Sequence, residues 1–265
     1  MSAPLPTLAE IRSAHASRAE YERFLFANTY FFRPLSYPLT WAAIRTGLSS
    51  ETVSWLSGSA AAAGLACMFL PLSAQPWCGA TLLALFNLLD CVDGDISRVM
   101  RTRNPYGRFL DSIMGFADML FWAAVGVVAW RTPGLRVLGD ITGAAWLWAG
   151  GAAAFLSVYA SYLENVFDLS LRQHWEKLNS AVADLPSGPL EGRGILLRVT
   201  LILMSNLRVR ETHYILFTAA CIGGALDLLL AFFLAVNAAL VLALIFVYCG
   251  RGVAVRSAGL GVEKQ

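Results

Sequence analysis

Five aspartates, Asp90, Asp93, Asp95, Asp111 and Asp118, fall in the stretch "DCVDGDISRVMRTRNPYGRFLDSIMGFAD", residues 90–118, between two apolar runs. A carboxylate at membrane depth is costly, so it must be compensated by a cation, a partner side chain or a water-filled cavity. Asp90 and Asp93 are three apart and share one face of a helix. Gly94 follows at once and lets a ligand approach the backbone. Arg98 lies a further turn along, and after "RTRNPY" the chain reaches Gly107 and enters the next apolar run with Asp111. Two helix ends can therefore bring three carboxylates together. Mg²⁺ and similar hard cations take oxygen ligands and are often bound through a few carboxylates plus substrate phosphates. A cation and Arg98 beside two glycines describe a pyrophosphate site, and phosphoryl transfer needs positioning and charge neutralisation more than covalent chemistry from the protein. A single aspartate at a helix end is often just solvated or a cap, and Asp95, between the faces, is read that way.

The elements that must position these groups are membrane helices. Of the 265 residues 57% are hydrophobic and only 14% charged, against about 25% charged in an average soluble domain. A helix needs roughly 20 apolar residues to cross the hydrocarbon, and six such runs are present. They lie near 52–71, 77–97, 108–130 and 140–163, with two more dividing 212–249 at Gly223, Gly224 and Asp227. The fold class is therefore all-α, a polytopic membrane protein. With both termini, 98–108 and 164–210 on the cytoplasmic side, 18 of the 20 Lys and Arg lie inside and only Arg131 and Arg136 outside. That asymmetry satisfies the positive-inside rule and places the Asp-rich mouth in the cytoplasm.

The segment 20–46 mixes aromatics with Arg and Pro and reads as an amphipathic helix in the interface. Residues 1–50 thus form a cytoplasmic N-terminus with this interfacial helix, 51–250 the six-helix domain and 251–265 a cytoplasmic tail. The N-terminus has no apolar core typical of a signal peptide. Residues 168–194 are polar, with "LPSGPLEGRG" as a turn cluster. The formal charge of +2, with basic residues spread along the chain, does not point to nucleic acid. Five cysteines without C-x-x-C pairing argue against a disulfide framework or a zinc site.

The stretch resembles the CDP-alcohol phosphotransferases, whose signature is D-x2-D-G-x2-A-R-x8-G-x3-D-x3-D. Asp90, Asp93, Gly94, Arg98, Gly107 and Asp111 match in type and spacing, and Ser97 stands where the family usually has Ala. "GLSSETVSWLSG" at 47–58 and "RPLSYPLT" at 33–40 extend the similarity upstream. The resemblance implies transfer of a phosphoalcohol from a CDP-alcohol donor to the hydroxyl of a lipid or small alcohol, with release of CMP, in phospholipid synthesis at the inner membrane. It implies Mg²⁺ or Mn²⁺, one or two ions, on Asp90, Asp93 and Asp111. Donor contacts would come from Asp90, Gly94, Ser97, Arg98, Gly107 and Asp111, and a homodimer is expected.

One position departs. The family's fourth aspartate, a metal ligand and the proposed base, would fall at 115, where this chain has Gly115. Asp118 lies about 4.5 Å further along the axis and within roughly 60° of it around a helix, which makes it the candidate substitute base. The alternatives are that Asp118 only hydrogen-bonds inside the bundle, or that the chain is an attenuated relative that binds a CDP-alcohol without turnover. A transporter would need paired acidic or broken-helix features in both halves, and only one half has them. Glu164, Asp168, Arg193, Arg198, Arg208 and Arg210 could face the cavity or an anionic ligand, although helix-flanking residues more often sit solvated or at phosphate level. His174 and His213 have no metal-ligand spacing.

Overall fold

The computed structural model describes residues 5–71, 75–138, 144–180 and 194–259. Every regular element among the described residues is helical. Thr7 and Glu10 cap α1 (Leu8–Glu22) reciprocally: the Thr7 hydroxyl accepts the Glu10 N–H at 3.3 Å, and the Glu10 carboxylate accepts the Thr7 N–H at 2.7 Å. A π-helical turn, Asn28–Phe32, runs straight into α2 (Arg33–Arg45). The interfacial segment is therefore two helices with a break at 23–25, where the sequence suggested one helix. Tyr30, Phe31, Leu35, Leu39 and Trp41 stand exposed along it, the apolar face an interfacial element turns to lipid.

The bundle follows: α3 (Ser50–Phe69), α4 (Gln75–Val99), α5 (Pro105–Met114), α6 (Phe116–Arg131), α7 (Ala145–Ser170), α8 (Arg172–Ser180), α9 (Ile195–Leu207), α10 (Arg210–Gly223) and α11 (Leu226–Ser257). Four segments are long and apolar enough to cross a membrane: Ser50–Phe69, Pro76–Val99, Pro105–Arg131 and Leu226–Ser257. The chain is a polytopic all-α membrane protein. The other two expected spans correspond to α7, 26 residues long with its apolar run diluted by Gly, Ser and Tyr, and to α10. At 14 residues α10 reaches only about 21 Å, short of the ~30 Å hydrocarbon core.

Side-chain contacts sort the helix ends into two groups. At one end the Arg131 guanidinium donates to the Phe69 carbonyl, and the buried Asp227 carboxylate accepts N–H groups of Val137 (3.0 Å) and Leu138 (2.7 Å). Cys67 and Cys78 also meet there as a disulfide, Cα–Cα 6.1 Å. The expectation of no disulfide is corrected here: Cys67 and Cys78 lie in separate apolar runs without C-x-x-C spacing, and only the packing of α3 on α4 brings them together. At the other end sit Ser54, Glu51, Asp93, Asn104 and Arg210.

Two details bear on the site. The expected third helix is broken: α5 stops at Met114, Gly115 is a turn, and the Asp118 N–H reaches only the Gly115 carbonyl, at 3.1 Å. The segment expected to be cytoplasmic, 164–210, contains beyond its polar stretch 168–194 a short apolar helix, α9, with Ile195, Leu196 and Leu203 exposed. Most of the turn cluster, with Arg193, lies outside the described residues. The core itself is aromatic: Phe121 packs edge-on against Trp122, Tyr214 and Phe217, with Phe86 and Phe233 fully buried beside them.

Candidate active site

A cavity of about 960 Å³ opens where α3, α4, α5 and α10 end against the N-terminal helices. Asp90, Asp93, Gly94, Ser97, Arg98, Gly107 and Asp111, the residues singled out by spacing, all line it. They come from two helix ends. The last two turns of α4 present Asp90 through Arg98, and Asn104 starts α5 by accepting the Gly107 N–H at 2.8 Å, which fixes the turn that carries Gly107 and Asp111.

Each carboxylate has its own environment. Asp93 is buried and accepts the Ser54 hydroxyl at 2.7 Å. Asp90 is half-buried and ion-paired with Arg210, whose Nε donates to Asn87 at 3.0 Å and whose guanidinium lies 4.8 Å from the Phe86 ring centre. Asp111 is exposed at the mouth. In this arrangement no group of three His, Cys, Asp or Glu side chains among the described residues is close enough to hold a metal ion. The donor set still fits a hard divalent cation in its chemistry: three carboxylates from two helices around one cavity.

Asp95 is more than a cap. It is 2% exposed and accepts from Arg33 at 3.2 Å, Ser36 at 2.8 Å and Arg98 at 2.5 Å. The solvated reading is thus corrected: the carboxylate tilts inward because two arginines converge on it. It pins Arg98 over Gly94, where a Cβ would come within 3.2 Å of the guanidinium. Gly94 therefore makes room for Arg98. A Cβ on Gly107 would meet nothing closer than Asn104 at 3.7 Å.

Asp118 does not line the cavity. Its Oδ1 accepts the Tyr214 hydroxyl at 3.0 Å, and its Oδ2 lies 3.6 Å from Arg210, which thus stands between Asp118 and Asp90. A Cβ at Gly115 would make ordinary contacts of 3.5–3.6 Å, so the site has room for a side chain there. Of the weaker candidates, Glu164 pairs with Arg208 and Asp168 with Arg172, both partly exposed. Arg198 is exposed, and His213 packs among Phe121, Trp122 and Phe233.

The spacing argument missed the N-terminal wall. Glu22, Asn28 and Arg33 line the same cavity. Arg33 donates to both Glu22 oxygens at 2.8 Å, Asn28 to Oε2 at 3.0 Å, and His15 faces Oε2 at 3.1 Å with Tyr37 on its other nitrogen. Burial pushes the Glu22 carboxyl upward, but hydrogen bonds from His15 and Arg33 and their charges overcome it and hold the carboxyl down to about 2. Arg33 is pushed the other way: burial lowers it, and Glu22 and Asp95 raise it above its ordinary value. The only sequence signal for this wall was charge inside an otherwise aromatic segment.

A sequence profile of the CDP-alcohol phosphatidyltransferase family matches residues 52–183. The chain is 35% identical over 100 residues to a phosphatidylinositol phosphate synthase of Mycolicibacterium smegmatis, covering 35% of this chain and 44% of the relative. It is 32% identical over 108 residues to one of Streptomyces avermitilis, covering 38% and 43%. A third, from Cutibacterium acnes, is 28% identical over 127 residues, 48% and 60%. The chain thus spans about half the length of the curated relatives it matches.

Proposed function

Because the chain belongs to the CDP-alcohol phosphatidyltransferase family, we propose that it is a membrane transferase that moves a phosphoalcohol group from a CDP-alcohol to an acceptor hydroxyl, in phospholipid synthesis. The observation that carries this reading is the single cavity lined by every matching residue of the signature. Asp90, Asp93 and Asp111 would hold Mg²⁺ or Mn²⁺, which neutralises the donor pyrophosphate when bound. Arg98 adds positive charge from its place over Gly94, and Gly107 leaves the mouth open. The acceptor oxygen attacks the phosphorus that bears the alcohol, the bond to the CMP oxygen breaks, and CMP departs.

The acceptor proton needs a base, and Asp118 is the assignment. Its two oxygens are engaged by Tyr214 and Arg210, so the role requires Arg210 to move from between Asp90 and Asp118. The names of the relatives point to phosphatidylinositol phosphate as the product, hence to a phosphatidyl donor. The site faces the cytoplasm at the inner membrane, and the chain works as a homodimer.

The test is CMP release in detergent with Mg²⁺ or Mn²⁺, from CDP-diacylglycerol with inositol phosphate first, then from other CDP-alcohols. The expected result is release that Asp93→Asn abolishes and Asp118→Asn cuts by about 10²–10⁴-fold, the usual contribution of a general base. Turnover by Asp118→Asn at the parent rate removes Asp118 from the mechanism. A parent silent with every donor, beside an active Gly115→Asp, identifies an attenuated relative instead.

A further inference from the structure

A second cavity, of about 880 Å³, lies beside the first, between the start of α1 and the turn from α4 to α5. Its polar wall is formed by Ser13, Ser97, Arg98, Arg101 and Arg103. Ser97, Arg98 and Arg103 also line the substrate cavity, so they form a shared wall. Among the described residues around it Glu10 is the one carboxylate, and its Oε2 is turned back onto Thr7, at 2.7 Å from the N–H and 2.8 Å from the hydroxyl.

Three observations give this cavity the character of an anion site. The Arg98 side chain is only 6% exposed; one terminal nitrogen donates to Asp95, while Nε is buried with no partner among the described residues. Neither Arg101 nor Arg103 forms an ion pair among the described residues, and both are exposed. Arg101 also has φ +56°, in the left-handed region, where it closes the end of α4 with the Thr102 N–H bonded to the Ser97 carbonyl at 3.0 Å. That is the place where glycine is usual, because a Cβ is strained there. An arginine kept at a glycine position, with its side chain on a cavity wall, is an outlier that asks for a function.

We propose that this second cavity binds a phosphate-bearing anion, held by Arg101 and Arg103 with Arg98 behind them, separately from the donor pyrophosphate. Guanidinium groups present several donors in a planar fork that matches phosphate oxygens. The cavity lies at the end of a membrane span, and Leu5, Pro6, Val99 and Met100 give it an apolar side as well. A soluble phosphate and the headgroup of an anionic lipid share the required chemistry. Since Arg98 and Arg103 face both cavities, occupancy of one changes the affinity of the other by the same factor in each direction.

The test compares the parent with Arg101→Gly, which removes the guanidinium from the second cavity alone and relieves the strained φ. Arg108→Gln, on the substrate cavity alone, is the control. One arm titrates inorganic phosphate by calorimetry in maltoside micelles. The other measures retention of phosphatidylglycerol against phosphatidylcholine by native mass spectrometry. Arg101→Gly is expected to lose at least tenfold in one arm or both while melting no lower than the parent, and Arg108→Gln to bind as the parent does. Loss in the first arm alone identifies a soluble anion, loss in the second alone a lipid headgroup, and loss in both a site open to either. Parent-like binding by Arg101→Gly in both arms, a parent that binds neither probe, equal loss in Arg108→Gln, or a lower melting temperature in Arg101→Gly overturns the proposal.

Discussion

Arg98 is held in place by Asp95 and lies over Gly94, and Asp95 is held in turn by Arg33 and Ser36. Asp95→Asn keeps the volume but leaves two arginines without their shared carboxylate. Removing one partner of a buried pair costs about 3–5 kcal/mol. Melting in detergent should fall accordingly, whereas Asp168→Asn, which breaks an exposed pair with Arg172, should change stability by under about 1 kcal/mol. Equal shifts in the two variants would refute the buried network. Glu22 makes a second prediction, in pH. Its carboxyl titrates near 4.5 when free and near 2 in the fold. A depressed folded value means that the stabilisation is fully present above 4.5 and is lost as pH falls from 4.5 towards 2, roughly 3 kcal/mol in all. Proteolysis of the N-terminal helices should therefore accelerate between pH 5 and pH 3 in the parent, while Glu22→Gln should be uniformly susceptible. A parent with flat susceptibility over that range would contradict the linkage.

Gly126 on α6 and Gly150 on α7 set a close backbone approach of the two helices. A Cβ at Gly126 would stand 2.6 Å from the Trp146 carbonyl and 2.8 Å from the Gly150 Cα, and both are backbone atoms that cannot swing aside. Gly126→Ala and Gly150→Ala should each destabilise by about 1–3 kcal/mol, the range for overpacking. Gly151→Ala, with nothing within 4 Å of its Cβ, should be neutral or stabilise slightly through helix propensity. Thermal melts of the three variants decide it, and a parent-like Gly126→Ala would reject the close approach. The elements that sequence made legible are those whose local chemistry is complete: the ends of α4 and α5 around the aspartates, and the turn at Gly224, which takes φ +63° between α10 and α11. The start of α1 went unread, although Thr7 and Glu10 stand at capping-box spacing, because its polar run shows little period. The break at Gly115 left no mark because the apolar pattern continues through it. The α9 helix escaped because its 13 residues, with Arg198, Thr200, Ser205 and Asn206 among them, are too few for a span. Arg210 could be weighed only as one of several helix-flanking arginines, because its pairing with Asp90 crosses 120 positions that no periodicity connects.

At the scale of the whole molecule, the two ends of the bundle differ in chemistry. One carries the arginine- and aspartate-lined cavities, with Arg208 and Arg251 near it. The other carries Arg131, the loop that Asp227 ties down and the Cys67–Cys78 disulfide. Basic residues mark the cytoplasmic face, and disulfides persist on the oxidising side of a membrane. Both features are in keeping with the proposed orientation, which puts the cavities on the cytoplasmic side. That orientation is also what the proposed chemistry needs, because nucleotide donors are supplied from inside the cell. Single cysteines placed at Arg103 and at Gly134, in a background with the native cysteines replaced by serine, should respond oppositely in intact cells. An impermeant maleimide should label the Gly134 position, where no neighbour lies within 4 Å of a Cβ. The Arg103 position should react only after the membrane is opened. Labelling at Arg103 from outside, with Gly134 silent, would invert the molecule and remove the cavity from the compartment that holds its donor.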